Sequence, residues 1–203
     1  GSLSDFKKQM LHNGADDNAS GTAALMELAQ RFSKMKTKRT IAFIAFSGEE
    51  LGLLGSNYFN NNPFFKDKKI VSMINMDMVG RLEKSALTIG GIKTGKSFKN
   101  TVDHINSFYD FKLGYFDDGY GPSDHMSFYL KGIPVLLFFS GIHSDYHKPS
   151  DDYYKLNFVG IGKIISFVQD IILKIDQEKE KPEYVKISPT KNMSASTCKG
   201  NGA

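Results

Sequence analysis

The sequence predicts an α/β domain around a mostly parallel sheet. Three observations carry that prediction. Amphipathic helical periods alternate with short runs that are apolar on both faces. Those runs are too short for long helices, and they lack the alternation of a strand with one wet face. Acidic and histidine residues collect at the ends of the runs, where open α/β sheets gather their ligands. A chain of 203 residues suits one domain with a core of its own.

In chain order, Leu25, Leu28, Ala29 and Phe32 fall at helical spacing and predict a helix over 19–34. The run 39–46, Arg-Thr-Ile-Ala-Phe-Ile-Ala-Phe, predicts a buried strand that ends at Ser47-Gly48. A second helix is expected to start near Glu49 and Glu50, to turn Leu51, Leu54 and Tyr58 inward, and to close at Pro63. Residues 70–76 and 86–89 read as strands. Phe98, Val102 and Ile105 predict a helix over 97–108. Ser123 suits the cap of a short helix ending at Gly132, where glycine tolerates the left-handed terminal conformation. Residues 133–139 read as another buried strand. Phe158, Ile161, Ile165, Val168 and Ile172 then predict a long helix docked on one face. The domain is expected to occupy 1–175, with 176–203 a polar, partly disordered tail.

Composition excludes several classes. Hydrophobic residues at 40% and charged residues at 24% are ordinary for a globular domain. The net charge of +4 is small and dispersed, which argues against nucleic acid as a partner. A lone cysteine, Cys198, rules out an internal disulfide and a cysteine-rich zinc finger. No apolar run approaches the ~20 residues a membrane span needs.

Four segments could carry chemistry: 14–21 (Gly-Ala-Asp-Asp-Asn-Ala-Ser-Gly), 47–50 (Ser-Gly-Glu-Glu), 75–78 (Asn-Met-Asp-Met) and 145–149 (Asp-Tyr-His-Lys-Pro). Each has a plain structural reading. Asp17 and the Glu49-Glu50 pair suit helix N-termini, and His147 suits a loop. Asp77 is harder to dismiss, because a carboxylate on an apolar strand needs a partner or a metal. Taken together, carboxylates and an imidazole from separate strand ends suit a divalent cation such as zinc. Of two adjacent glutamates, one can bind metal while the other moves protons. Gly-x-Ser-x-Gly, His-Glu-x-x-His and Gly-x-Gly-x-x-Gly motifs are missing.

In these four motifs, from about Asn13 to Lys174, the sequence resembles the co-catalytic zinc aminopeptidases. That family includes secreted bacterial leucyl aminopeptidase and aminopeptidase Y, and is related to glutamate carboxypeptidase and glutaminyl cyclase. The resemblance implies a three-layer sandwich, a mostly parallel mixed sheet with helices on both faces. It implies that Asp17 bridges two zinc ions through a residue whose bond to Asn18 is often cis. It implies Glu50 and His147 as ligands of one zinc, Asp77 as a ligand of the other, and Glu49 as general base. The implied reaction is attack of metal-bound hydroxide on a peptide carbonyl, with peptide or small-protein N-termini as substrate. Either Tyr146 or Tyr120 could hold the oxyanion, with Tyr146 slightly favoured; a tyrosine packed at the edge of the site is the simpler explanation of each. Asp124 is read as a partner of ligands or waters rather than a ligand. Asp16 and His143 are read as structural, and His12 and His104 as loop or surface residues.

The sequence departs from the family in one respect. The upstream His-x-Asp that supplies the remaining zinc ligand is not found before Asp17, and Gly1-Ser2 resembles a cloning scar. The expectation is a truncated chain lacking its N-terminal strands and holding one zinc where the family holds two. Secretion or a periplasmic location follows from the resemblance alone. Two alternatives stay open: a single-zinc glutaminyl cyclase, and an inactive binding module on the same fold. The chain's lack of tryptophan speaks mildly against the cyclase, and its full set of Glu49, Glu50, Asp77 and His147 speaks against the inactive module. Nothing in the sequence sets the oligomeric state.

Overall fold

The computed structural model describes residues 10–62 and 69–189. Its sheet has four strands: β1 (Met73–Met76), β2 (Ala86–Gly90), β3 (Lys112–Tyr115) and β4 (Val135–Phe139). Their order is β1-β4-β2-β3. β1 runs parallel to β4 and β2 parallel to β3, while β2 and β4 are antiparallel, so the sheet is mixed. The helices are α1 (Gly21–Phe32), α2 (Leu54–Asn61), α3 (Phe98–Asn106), α4 (His125–Tyr129) and α5 (Phe158–Gln177).

The core forms where α1, α3 and α5 close on the sheet. Leu28 and Phe32 of α1, Phe98 and Val102 of α3, and Ile164, Phe167, Val168 and Ile171 of α5 meet Leu87, Ile89, Leu136 and Phe138. β4 is apolar along its whole length because it lies inside the sheet with neighbours on both sides. A smaller apolar cluster of Phe128, Tyr129 and Val135, with Phe46 and Phe59 against it, lies under α4.

Three expectations need correction. The 39–46 run is not a strand: Ile41 and Phe43 pack on the core, but the run forms no ladder among the described residues. A cavity of about 520 Å³ is lined by Ile44, Ala45 and Phe46 of this run and by Met73 to Met76 of β1. Apolar character brings the run to the core, but no neighbouring strand forms a ladder with it among the described residues. The second helix starts at Leu54, after a turn through Gly52 and Leu53 with positive φ, and Leu51, Leu54 and Tyr58 are 70%, 55% and 71% exposed. Its inner face instead carries buried Ser56, Phe59 against Phe128, and Asn60 bonded to Ser127. Pro63 lies outside the described residues. The strand β3 has no counterpart in the sequence prediction, since Lys-Leu-Gly-Tyr is too short and mixed to stand out.

The remaining elements fall close to expectation. Gly132 has φ 77 after α4. Ser123, however, gives its hydroxyl to Asp77 rather than to the helix end. In α5 the buried face runs through Ile161, Ile164, Ile165, Val168 and Ile171, while Phe158 is exposed. The tail boundary expected at 175 falls inside α5, and the chain beyond the helix is tied back to the body. Lys96 and Val185 donate backbone bonds to Glu183 and Thr94 respectively, and Tyr129 Oη accepts from the Ile187 N–H at 2.7 Å. Residues 190–203, Cys198 among them, lie outside the described residues. No helix among the described residues is long and apolar enough to cross a membrane.

Candidate metal centre

Because β1 and β4 are parallel and in register from Met73↔Val135 to Met76↔Phe138, their C-terminal ends open on one edge. Asp77 directly follows β1, with its N–H bonded to the Phe138 carbonyl at 3.1 Å. The long loop after β4 carries His147. The turn before α1 carries Asp17, and the loop before α2 carries Glu49 and Glu50.

Side chains of the turn 15–20 fasten it to the end of β1. Asn18 donates to the Met76 carbonyl at 3.0 Å and accepts from Gly21 and Met78 N–H at 3.0 and 3.2 Å. A Cβ at Gly21 would lie 2.4 Å from the Met76 carbonyl oxygen, so this approach requires glycine. The Asp17–Asn18 bond is cis, as the resemblance implies. Asp16 is fully buried; it accepts from Gly80 N–H at 2.6 Å and Ser20 Oγ at 2.9 Å, and lies 3.1 Å from His143 Nε2. That is the structural role expected of Asp16 and His143.

Three side chains converge. His147 Nε2 lies 3.1 Å from Asp17 Oδ2 and 2.9 Å from Glu50 Oε1, and the three donor atoms all lie within 4.8 Å of one another. Two carboxylates and an imidazole at this spacing fit a divalent cation with a position left for water or substrate. Asp77 stands beside this triad, close enough for its charge to act on Asp17 and Glu49. Its own carboxylate accepts from Ser123 Oγ at 2.6 Å, and Ser123 in turn accepts from Asn75 at 2.7 Å.

The electrostatics also fit a cation. Burial first, then Glu50, raises the Asp17 carboxyl to about 6. Burial first, then Asp77, Glu50, Asp124 and Asp17, pushes Glu49 up to about 8. Burial raises Asp77 and Asp124 as well. So much negative charge in one partly buried place is costly until a cation shares it. Glu49 lines the same cavity as Glu50, Asp77 and Asp124 but is not one of the three converging ligands.

The two tyrosines part company. Tyr146 stacks on His147 with ring centroids 3.8 Å apart, and burial followed by Asp17, Glu50, Asp77 and Glu49 raises its hydroxyl. Tyr120 packs edge-on to Tyr129 at 5.1 Å, within the cluster under α4. His125 is fully buried and held neutral, its imidazole lowered to about 4 by burial. Sequence reasoning did not single out Asn18 as an anchor, nor Arg81 and Asp151. Asn18 looks like an ordinary turn residue, and Arg81 and Asp151 like loop charges, so no local signal marks them.

An α/β sheet whose loop ends bring two carboxylates and an imidazole to one point defines a fold and site suited to metal-dependent hydrolysis. The chain belongs to peptidase family M28, whose profile matches residues 4–172. It is 30% identical over 185 residues to aminopeptidase YwaD of Bacillus subtilis, covering 85% of this chain and 40% of that protein. It resembles the solved structure of BSAP, a zinc aminopeptidase from Bacillus subtilis, at TM-score 0.71 and 25% identity, covering 85% of this chain and 44% of the other. The fold is also that of a glutaminyl cyclase from Porphyromonas gingivalis, at TM-score 0.63 and 18% identity, covering 79% and 63% of the two chains. The chain thus spans less than half the length of the two aminopeptidases it matches.

Proposed function

We propose that this chain is the catalytic part of a zinc-dependent exopeptidase that removes N-terminal residues from peptides. The observation that carries the reading is the convergence of Asp17, Glu50 and His147, with Glu49 beside them and outside the triad. These three would hold one zinc ion, with Asp77, whose carboxylate accepts from Ser123 Oγ, standing beside them. Zinc bound there supplies a Lewis acid that polarises a peptide carbonyl and acidifies a water. Glu49, which lines the same cavity as the triad without joining it, is placed to take the proton of the attacking water and return it to the leaving amine. Tyr146, its hydroxyl raised and therefore protonated, can donate to the oxygen that gains charge. Membership of the peptidase family favours peptide hydrolysis over cyclisation, and a retained Glu49 favours catalysis over binding alone.

The test compares zinc content with leucyl-p-nitroanilide turnover in the wild type, Glu49→Gln and Glu50→Gln. Glu49→Gln should keep its zinc and lose about 10²-fold or more of its turnover. Glu50→Gln should lose both zinc and turnover. Equal zinc loss in both variants would reverse or dissolve the assignment of roles, and turnover of Glu49→Gln within a few-fold of wild type would remove it as base.

A further inference from the structure

The loop that carries His147 and the turn that carries Asp17 are joined by one buried carboxylate. Asp151, 1% exposed, lies four residues after His147. Its Oδ2 accepts from the backbone N–H groups of both Asp16, at 2.9 Å, and Asp17, at 3.1 Å. Its own carbonyl accepts from Ala15 N–H at 3.1 Å, so the turn is gripped at three successive residues. The other carboxylate oxygen, Oδ1, accepts from Arg81 Nη2 at 3.1 Å. Arg81 lies four residues after Asp77 and also reaches Asp145 at 3.3 Å. On the loop side, Asp151 N–H donates to the Lys148 carbonyl at 3.1 Å, next to His147. The segments carrying Asp17, Asp77 and His147 therefore meet on the Asp151–Arg81 pair.

We infer that Asp151 is a positioning residue for the metal centre: it sets the separation of Asp17 from His147 before a cation arrives. The inference rests on the zinc reading above, and deepens it. Ligands held in place by buried partners lose less freedom on binding, and removing such partners typically weakens metal affinity by about 10- to 100-fold. Asp151 touches neither substrate nor ligand side chain in this role. It acts through the backbone N–H groups of Asp16 and Asp17, whose side chains meet different partners, His143 and His147.

Zinc affinity, read by competition with a chromophoric chelator, separates positioning from general stability and from charge. Asp151→Asn keeps the size but sets an amide N–H₂ against either Arg81 or the two backbone donors. Asp151→Glu keeps the charge and can keep Arg81, while moving the acceptor by one methylene. Both should bind zinc about 10- to 100-fold more weakly than wild type, with cooperative melts in chelator showing that they fold. Asp145→Asn, which loses an Arg81 contact on the same loop but touches nothing in 15–17, should stay within about twofold. Wild-type affinity in Asp151→Glu shows that only charge mattered, and wild-type affinity in Asp151→Asn shows a purely structural residue. Either result overturns the inference while leaving the zinc reading intact. A wild-type chain that takes up no zinc overturns both.

Discussion

Glu49 and Glu50 are neighbours that the loop before α2 turns to different tasks: Glu50 joins Asp17 and His147, and Glu49 lines the cavity beside them. The raised carboxyls make a prediction whose sign is unusual for acids. A carboxyl whose folded value lies above its unfolded value of about 4 favours the protonated folded state. Its stabilising contribution is complete below about pH 4 and is lost as pH climbs through the folded value. For Asp17 that loss runs from about 4 up to about 6 and for Glu49 from about 4 up to about 8, with Asp77 and Asp124 raised in the same direction. The chelator-treated protein should therefore melt at progressively lower temperature from about pH 5 to about pH 8. Glu49→Gln should melt higher than wild type at pH 8 in chelator, because the amide cannot ionise. A melting temperature that rises over this range, or a Glu49→Gln that melts lower, would count against mutual repulsion at the site.

At the scale of elements, the C-terminus of α5 is held by a residue from the far side of the sequence. Arg39 donates to the carbonyls of Ile175, Asp176 and Glu178, and Asp176 accepts from the backbone N–H groups of Lys38 and Arg39. Carbonyls at a helix end lack partners within the helix, and a cation there also meets the negative end of the dipole. Arg39→Ala should cost about 1–2 kcal/mol, a fall of roughly 2–8 °C in melting temperature. Phe167→Ala, on the buried face of the same helix, should cost about 3–5 kcal/mol, because it opens a cavity among Tyr109, Phe111 and Phe138. Calorimetry on both variants checks the order; an Arg39→Ala as damaging as Phe167→Ala would mean that the cap does more than close the helix. Helical period was legible for α1, α3 and α5, whose apolar faces meet the core. It misled at α2, where a turn at Gly52 and Leu53 shifts the helix start and leaves three apolar side chains in solvent.

Across the whole molecule, four segments spread from residue 17 to residue 147 meet only when the sheet and its loops are in place. Zinc affinity is therefore folding free energy, and zinc at 100 times its dissociation constant should add about 2.7 kcal/mol, or roughly 5–10 °C in melting temperature. His147→Ala should lose most of that shift while melting near wild type in chelator. A shift that survives His147→Ala would place the metal elsewhere, and an equal shift with magnesium would speak against a site that uses an imidazole.

The sequence by itself determined the fold class, most of the helices and the apolar strands, because period and run length report which faces must leave water. It also determined the four acidic and histidine segments, because charge at the ends of apolar runs is visible along the chain. Pairing was beyond it. Only the tertiary structure decided that the 39–46 run forms no ladder among the described residues, that Lys112–Tyr115 completes the sheet, and that Tyr146 rather than Tyr120 stacks on His147. It also decided that Asp151, 135 positions from Asp16 and 134 from Asp17, takes hold of both backbones. The physical reason is range. A local pattern fixes what a residue must avoid, but a hydrogen bond between distant segments depends on where the rest of the chain has carried each partner.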